Sequence, residues 1–304
     1  MIFSVVIPSY NREQVVLRAI SSVLNQTFQD FEIVVVDDGS KDNTRQVVES
    51  INDPRVRYIW QKNQGATVAR NTGIQNARGK YVSFLDSDDE WFNTMLEKQF
   101  ETYQSDPYIG CVYSDVHIIN AKGKVSSFSK PLGICDNSYK LILLQGYMAP
   151  TSVLSAKRDV LVKVGMFDTE LPASQDDDIC FKLAKNSKVG FIPEVLANMY
   201  VGQQNRISIN KDRVARGWWM LRNKYEEDIV SHCGRDTMRD YYKDCVKRFA
   251  LSGNSELCRK AIQKYHQYGG NDRWINNKLI EIGFIKKGVI LQKMYGKLLK
   301  LLWK

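Results

Sequence analysis

Several patterns that define common classes of protein are missing from the 304-residue sequence. It has neither the GxGxxG turn of dinucleotide-binding dehydrogenases nor the GxxxxGK(S/T) loop that cradles phosphates in many nucleoside triphosphatases. Apolar runs stay well below the roughly 18 residues that a transmembrane helix needs, and no basic segment precedes an apolar run at the N-terminus. We therefore expect a globular protein without a signal peptide or a membrane-spanning segment.

Cysteine and histidine, the residues of most zinc sites, are also scarce. The chain has six cysteines and three histidines, and no two cysteines form a CxxC pair or show the spacing of a zinc site. Isolated cysteines within apolar stretches, such as Cys111, are typical of small buried side chains. Free thiols of this kind fit a reducing compartment, so the sequence favours the cytoplasm.

Positive charge is in excess, because 43 Lys and Arg residues stand against 34 Asp and Glu residues, giving a formal net charge of +9. Nucleic acid, an anionic membrane and an anionic substrate are the common partners of such a chain, although charge also serves solubility alone. A nucleic-acid-binding module needs basic residues that dominate its folded surface. The clustered acids described below argue against nucleic acid as the partner.

Short apolar runs bounded by turn residues recur through the first half of the chain and predict buried strands. They lie at 3–8, 31–37, 56–60, 81–86 and 109–114. Helical patterns separate them, and Asn11 with Gln14 matches a capping box before the first helix. This alternation predicts an α/β fold with a mostly parallel, Rossmann-like central sheet flanked by helices, whose ligand sites lie at the carboxyl ends of the strands.

The alternation loosens after residue 93. A polar helix at 93–105, a hairpin that turns at 121–123 and a strand near 151–155 are predicted there. Beyond residue 212 the pattern is helical and charged. We therefore expect an α/β domain at 1–210 and a helical C-terminal region at 211–304.

Polar residues follow three of the predicted strands at the point where each strand ends. They are Pro8-Ser9-Tyr10-Asn11, Asp37-Asp38-Gly39-Ser40 and Asp86-Ser87-Asp88-Asp89. The third group places three acids within four positions, where their charges repel and unpaired burial is costly. A divalent cation relieves that repulsion, and carboxylate oxygens suit the hard ions Mg²⁺ and Mn²⁺.

These polar residues also have purely structural interpretations. Ser40 fits the N-cap of a helix, residues 86–88 fit the cap of the helix after Trp91, and Arg70 fits an ion pair with a surface acid. Their occurrence together, in one order at the ends of successive strands, favours a functional site.

Six segments in this order resemble the motifs of family 2 glycosyltransferases, which have the GT-A fold and build bacterial surface polysaccharides such as capsule and O-antigen. They are VVIPSYN (5–11), FEIVVVDDGSKDNT (31–44), GATVARNTGI (65–74), GKYVSFLDSDDEW (79–91), GMFD (165–168) and SQDDDICFKLA (174–184). Each segment is a weak signal alone, but together they are specific. The resemblance implies a GT-A fold for the first two-thirds of the chain, and the last third carries no such motif.

Five residues receive a nucleotide-binding role from this resemblance. Tyr10 would lie against a uracil ring in a pocket shaped by Pro8, and Asp38 would accept a hydrogen bond from the uracil N–H. Arg70 would reach the base or the diphosphate, and Asp86 would bind the ribose hydroxyls. The implied donor is a UDP-hexose or a UDP-N-acetylhexosamine.

The resemblance implies roles in the chemical step for two further acids. Asp88 would hold a Mn²⁺ or Mg²⁺ ion that bridges the diphosphate and stabilises its growing negative charge. Asp176 would be the base that takes the proton of the incoming sugar hydroxyl. One metal and one carboxylate suffice for direct displacement with inversion. In the alternative interpretation, Asp176, Asp177 and Asp178 serve only the macrodipole of the helix that they begin.

The chain departs from the family pattern at two places. Gln175 stands where the family usually has Glu, and it is a candidate contact for the diphosphate or the acceptor. No His occurs at 200–208, where many relatives carry one, and Arg206 is the candidate diphosphate contact there. The alternative for this segment is a polar surface turn.

These roles predict an inverting, metal-dependent glycosyltransferase that transfers a sugar to a hydroxyl of a glycan or a lipid-linked oligosaccharide in surface polysaccharide biosynthesis. The alternative is a non-catalytic nucleotide- or membrane-binding module derived from the same fold. The intact acids Asp38, Asp86, Asp88 and Asp176 favour the enzyme.

The C-terminal segment 286–304 is basic and amphipathic. It contains six lysines and no acid, and a helical wheel places most of the lysines opposite an apolar face. That face consists of Leu291, Met294, Tyr295, Leu298 and Leu302. The pattern is typical of a helix lying on an anionic membrane, with Trp303 as a headgroup anchor. We therefore predict a cytoplasmic protein bound peripherally at the inner face of the bacterial membrane; the alternative is a terminal helix packed on the protein itself.

Cosedimentation with anionic liposomes tests the membrane prediction. The full chain is expected to bind vesicles rich in phosphatidylglycerol, and a chain ending at residue 284 is expected to lose most of that binding because it lacks the six lysines. Higher ionic strength should weaken the binding of the full chain. Equal binding of the two chains would exclude the segment as an anchor.

Overall fold

The computed structural model of the protein describes residues 1–129, 137–202, 210–272 and 275. Two candidates from the sequence lie outside these residues, namely Arg206 and the basic segment 286–304. The chain forms two compact units, Met1–Arg206 and Ile207–Lys304.

Four parallel strands form one half of the sheet in the first unit, in the order β3-β2-β1-β4. They are β1 (Phe3–Ser9), β2 (Phe31–Asp37), β3 (Val56–Trp60) and β4 (Tyr81–Phe84). The helices between them are α1 (Val16–Leu24), α2 (Thr44–Glu49) and α3 (Ala66–Asn76). Every residue of β1 and β2 is buried, which explains why these strands are continuous apolar runs in the sequence.

The other half of the sheet continues in the order β4-β8-β6-β9-β5, with β7 paired to β6. Its strands are β5 (Glu90–Trp91), β6 (Ile109–Ile119), β7 (Val125–Phe128), β8 (Leu154–Lys157) and β9 (Lys188–Tyr200). Its helices are α4 (Met95–Ser105), α5 (Ser138–Gln145), α6 (Arg158–Lys163) and α7 (Gln175–Asn186), and a 3₁₀ turn at Thr151–Val153 leads into β8. Strand β8 is antiparallel to both β4 and β6, whereas β9 is parallel to β6. The predicted α/β architecture with a central sheet is confirmed, and beyond β4 the sheet is mixed.

The second unit is helical in the part that the structure describes. Its helices are α8 (Lys211–Lys224), α9 (Glu226–Cys233), α10 (Arg235–Ser252) and α11 (Ser255–Gln267). The buried Tyr242 donates its hydroxyl to Glu226 (2.9 Å), which also pairs with Lys264 (2.8 Å). The predicted helical extension is therefore held by a polar contact as well as by its apolar core. Among the described residues, no helix is both long enough and apolar enough to cross a membrane.

The predicted capping box before α1 is wrong. Asn11 has a left-handed backbone (φ 53°), and α1 begins only at Val16. Asn11 instead joins two loops, since its backbone N–H donates to Ser40 Oγ (2.9 Å) and its Oδ1 accepts from the Lys41 N–H (2.8 Å). Asn tolerates this backbone region better than most residues do, so it serves the loop contact rather than the cap.

Two of the structural alternatives for the polar groups are also wrong. The residue that precedes α2 is Asn43 rather than Ser40, and the residue that precedes α4 is Thr94 rather than any of residues 86–88. The polar side chains at the strand ends therefore make contacts other than helix caps.

The approach of α3 to β1 depends on a glycine. A Cβ atom at Gly73 would lie 2.2 Å from Cγ1 of Val6, which is fully buried in β1. The helix therefore packs closer to the sheet than any larger residue at this position permits. This packing positions Arg70 and Asn71, which lie within the preceding turn of α3.

Replacing Gly73 with Ala is expected to destabilise the protein, because overpacking costs about 1–3 kcal/mol and the gain in helix propensity is only about 1 kcal/mol. The double variant Gly73→Ala/Val6→Ala lacks the two Val6 methyl groups that the Cβ of Ala at position 73 would meet. It should therefore lose less stability than the sum of the losses in the single variants. Urea unfolding of the wild type and the three variants measures these differences. Strictly additive losses would show that Gly73 and Val6 do not constrain each other.

Candidate active site at the carboxyl edge of the sheet

The polar groups identified in the sequence lie at the carboxyl ends of β1, β2 and β4. These strands are neighbours in the parallel half of the sheet and point the same way, so their carboxyl ends share one edge. The Asp38 N–H donates to the Ser9 carbonyl (2.8 Å) and the Leu85 N–H donates to the Val6 carbonyl (3.1 Å), which continues the pairing to that edge. The predicted location of the site is therefore consistent with the sheet topology.

An acid cluster, Asp86, Asp88 and Asp89, follows β4. One carboxylate oxygen of each residue lies within 4.8 Å of the others. Asp88 and Asp89 are buried, whereas the Asp86 side chain is 31% exposed. A tight turn holds the cluster, since the Asp89 N–H donates to the Asp86 carbonyl (3.0 Å). Converging carboxylates with one side open to solvent fit a Mg²⁺ or Mn²⁺ ion, which takes one or two protein carboxylates and keeps other positions for phosphate oxygens.

Asp89 anchors this cluster to the other half of the sheet. Its Oδ2 accepts from Ser152 Oγ (2.5 Å) and its Oδ1 accepts from the Tyr200 N–H (3.0 Å). Burial raises the pKa of Asp89 to about 8, and the neighbouring charges of Asp86 and Asp88 act in the same direction. The sequence marked Asp89 as a member of the acid group but gave it no separate role. The presence of a third acid was the only sequence signal for such a role, because its partners Ser152 and Tyr200 are far away in the chain.

Arg70 pairs with the acid cluster. Its Nη2 donates to Asp86 Oδ1 at 2.5 Å, and its guanidinium lies 5.7 Å from the ring of Phe167. The next residue, Asn71, donates to the Phe167 carbonyl (2.9 Å) and accepts from the Phe167 N–H (3.0 Å). These bonds tie the segment at 165–168 to α3, so three of the motifs found in the sequence meet here.

Asp176 lies in the first turn of α7 and is half-buried. Its Oδ1 accepts from the Asp177 N–H (3.1 Å). Burial raises the pKa of Asp176, the positive charge of Arg70 opposes this rise, and the negative charge of Asp86 adds to it. Asp176 is thus close enough to Arg70 and Asp86 to interact with both. The base predicted from the sequence and the acid cluster share one electrostatic environment.

Two neighbours of Asp176 in this turn, Asp178 and Gln175, have different surroundings. Asp178 is fully buried and pairs with Lys182 (2.9 Å), one turn further along α7. Gln175 is also buried, and its amide donates to the Leu171 carbonyl (2.8 Å). Asp178 and Gln175 therefore stabilise the start of α7, which holds Asp176 at the site.

The residues predicted to surround a uracil ring end β1 and β2. Tyr10 is 42% exposed, and Pro8 is buried in β1. Proline lacks a backbone N–H, but Pro8 costs no hydrogen bond with β4 because the pairing of β1 with β4 stops at Val6. An exposed aromatic ring next to a rigid strand end is suited to stacking against a planar base.

Asp38 is buried and organises the loop after β3. Its carboxylate accepts from the Gln61 amide (2.7 Å), the Gln64 N–H (2.9 Å) and the Gly65 N–H (2.7 Å). The sequence did not predict these partners, because they lie more than twenty residues further along the chain. Asp38 therefore connects the end of β2 with the start of α3, which carries Arg70.

Sequence comparisons place the chain among glycosyltransferases. Residues 4–150 match the family described as "Glycosyl transferase family 2". An uncharacterized glycosyltransferase of Nostoc sp. is 30% identical over 284 residues, which cover 90% of this chain and 84% of the relative. The Escherichia coli protein WfgD, named UDP-Glc:alpha-D-GlcNAc-diphosphoundecaprenol beta-1,3-glucosyltransferase, is 32% identical over 75% of this chain and 88% of its own length. Three similar glycosyltransferases of Rickettsia are longer, and this chain spans 33–45% of their length.

The fold is also similar to that of a solved structure. The crystal structure of S. aureus TarS residues 1–349 in complex with UDP-GlcNAc matches 88% of this chain and 89% of that chain, with a TM-score of 0.61 and 18% identity. At this identity the similarity supports the GT-A fold alone. The sequence relatives go further, because 30% identity extends over most of both chains. The chain therefore belongs to glycosyl transferase family 2.

Proposed function

We propose that the protein is a metal-dependent, inverting glycosyltransferase that transfers a sugar from a UDP donor to a hydroxyl of a glycan or a lipid-linked oligosaccharide. The observation that carries this proposal is the acid cluster, which lies within electrostatic reach of Asp176 at the carboxyl edge of the sheet. The name of WfgD describes a transfer from UDP-Glc to a diphosphoundecaprenol-linked sugar, and TarS has been crystallised with UDP-GlcNAc. These relatives support a UDP-hexose or UDP-N-acetylhexosamine donor and a place in surface polysaccharide biosynthesis.

The nucleotide lies, in this proposal, across the ends of β1 and β2. The exposed ring of Tyr10 stacks on uracil beside Pro8. Asp38 accepts from the uracil N–H, and its three internal donors hold the carboxylate in a fixed orientation for that bond. Asp86, which is partly exposed, accepts from the ribose hydroxyls, and Arg70 beside it reaches toward the diphosphate.

Asp88 is the proposed metal ligand, with the other acids of the cluster next to it. A bound Mn²⁺ or Mg²⁺ ion supplies positive charge to the diphosphate as the bond to the sugar breaks. Asp88 is buried, and a low-dielectric environment strengthens its attraction for a cation. Arg70 contributes a further positive charge on the same side of the site.

Asp176 is the proposed base. It takes the proton of the acceptor hydroxyl while that oxygen attacks the anomeric carbon, so the sugar–diphosphate bond breaks as the new glycosidic bond forms. Its raised pKa makes the carboxylate a stronger base than an exposed Asp. A single displacement of this kind inverts the anomeric configuration. Gln175 and Arg206 are proposed to contact the acceptor or the diphosphate, and Gln175 has its amide nitrogen bonded internally.

The proposed domains follow the sequence pattern, with the catalytic α/β domain at 1–210 and a helical region at 211–304. The basic segment 286–304 is proposed to hold the protein at the anionic inner face of the membrane. A lipid-linked acceptor is found at such a surface, so membrane attachment and the proposed acceptor agree.

Alanine variants of the two acids separate binding from chemistry. UDP with Mn²⁺ is expected to raise the melting temperature of the wild type by several degrees, and EDTA should abolish this shift. Asp88→Ala should lose the Mn²⁺-dependent shift because it removes the metal ligand. Asp176→Ala should keep the shift, while transfer activity falls by about 10²–10⁴-fold.

Asp240→Ala is the matched control, because Asp240 is an exposed acid that pairs with Arg239 (3.4 Å) on the surface of α10. It should leave both the shift and the transfer activity unchanged. Full activity of Asp176→Ala would exclude Asp176 as the base. A Mn²⁺-dependent shift that persists in Asp88→Ala would exclude Asp88 as the metal ligand.

The pH dependence of transfer tests the electrostatic link between Arg70 and Asp176. The base must be ionised, so the rate at saturating donor should fall as the pH drops through the pKa of Asp176. Arg70 lowers that pKa, and in Arg70→Gln the pKa should therefore rise further and the acidic limb should move to higher pH. The measurement is the pH profile of kcat for both proteins. An unmoved or lower acidic limb would contradict the link.

A further inference from the structure

We infer that Arg18 of α1 is a positioning residue for the metal site, an inference that rests on the proposed role of Asp88. Arg18 Nη2 donates to the backbone carbonyl of Asp88 at 2.5 Å, across 70 positions of sequence. Within the turn at 86–89, the Asp89 N–H donates to the Asp86 carbonyl. The Asp88 carbonyl is therefore held from a different element of the fold.

Holding this carbonyl restricts the directions that the Asp88 side chain can take. The orientation of the bond from Cα to Cβ follows from the backbone, so a peptide that cannot rotate leaves the carboxylate only the few positions that its side-chain rotamers allow. Metal affinity depends on such support, because groups that orient a ligand without touching the ion typically account for about 10–100-fold in affinity.

Arg18 is itself held on three sides. Its helix packs into the core through Val16 and Ile20, which are fully buried. Its guanidinium lies 4.0 Å from the centre of the Tyr200 ring, a cation–π contact. Its Nε lies 3.7 Å from Glu90 Oε2. The Arg18 side chain is 35% exposed, so these contacts, rather than complete burial, favour its position beside Asp88.

Glu90 removes a conflict that a positive charge next to a metal site would create. An unpaired Arg18 would repel a divalent cation at Asp88, whereas the ion pair with Glu90 offsets that charge. Glu90 is fixed in turn, since its Oε1 accepts from Asn198 Nδ2 (2.8 Å) and from the Tyr200 hydroxyl (2.9 Å). Arg18 thus donates a hydrogen bond to the Asp88 carbonyl and stacks on the Tyr200 ring. Glu90 reduces the repulsion between the Arg18 charge and a cation at Asp88.

Titration of Mn²⁺ in the presence of saturating UDP, followed by electron paramagnetic resonance of the free ion, tests the inference without any turnover. Arg18→Ala is expected to weaken Mn²⁺ binding about 10-fold or more. Arg18→Lys should fall between this variant and the wild type, because an ammonium group keeps the charge and can donate to the Asp88 carbonyl but loses the planar stack on Tyr200. UDP affinity measured without metal should stay unchanged in both variants.

Glu90→Gln separates the two functions of the pair. It leaves the Arg18 charge without its partner, so Mn²⁺ binding should weaken at low ionic strength and recover part of the loss as salt is added. The loss in Arg18→Ala arises from geometry and should persist at both salt concentrations. A role in folding alone would give neither this salt dependence nor the recovery of affinity in Arg18→Lys.

Arg45→Ala is the matched control, because Arg45 forms an exposed ion pair with Glu49 (2.9 Å) on α2. It should bind Mn²⁺ like the wild type.

Wild-type affinity in Arg18→Ala would overturn the inference and leave the proposed function standing. If the wild type itself bound no Mn²⁺ with UDP, the proposed metal site would fail and the role of Arg18 with it. If Arg18→Ala does not fold, Arg18→Lys and Glu90→Gln decide, and wild-type affinity in both would overturn the inference.

Discussion

Repulsion among carboxylates at one edge of the sheet is the constraint on which the rest of the site depends. Asp86, Asp88 and Asp89 come within 4.8 Å of one another, and two ionised carboxylates at such a distance repel by about 3 kcal/mol at an effective dielectric constant of about 20. The fold meets this cost differently at each acid. Arg70 pairs with Asp86, and burial raises the pKa of Asp89, so that its charged form is disfavoured. The site is open on the side of Asp86, where a cation and its diphosphate are proposed to bind.

Many residues of the sequence motifs hold the site together rather than point into it. Asp38 binds the loop that leads to α3, Asn71 binds the segment at 165–168, and Gly73 lets α3 approach the sheet. Such contacts are long-range hydrogen bonds and close backbone packing, which tolerate few other residue types. A motif in this chain thus contains both residues with proposed roles in binding or chemistry and residues that hold them in position.

The sequence was sufficient for the parallel half of the fold because its signals are local. The runs at 31–37 and 56–60 correspond to β2 and β3 residue for residue. Strand β2 is fully buried and appears as an apolar run, whereas β3 lies at the edge of the sheet, is only partly buried, and was marked by its β-branched and aromatic residues. In the mixed half, the predicted hairpin turn at 121–123 joins β6 to β7, and the strand predicted near 151–155 overlaps β8. The pairing of β4 with β8 was not predicted, because it joins segments about seventy residues apart without a local signature. The capping box failed for a similar reason: Asn11 fits the local rule, but hydrogen bonds to Ser40 and Lys41 outweigh it. The supports of Asp88 and Asp89 were also beyond local patterns, because Arg18, Ser152 and Tyr200 come from three other elements.

The two halves of the sheet also divide the proposed chemistry. Asp38, Asp86 and Asp88 follow strands of the parallel half, whereas Asp176 belongs to α7, which packs with the mixed half. Arg70 joins them, since it pairs with Asp86 and lowers the pKa of Asp176. Under the proposed mechanism, the nucleotide therefore contacts one half and the acceptor hydroxyl meets a base from the other. Changes in the mixed half can then alter the acceptor without disturbing the nucleotide site, provided that they spare Ser152 and Tyr200, which hold Asp89, and leave Asp176 within reach of Arg70.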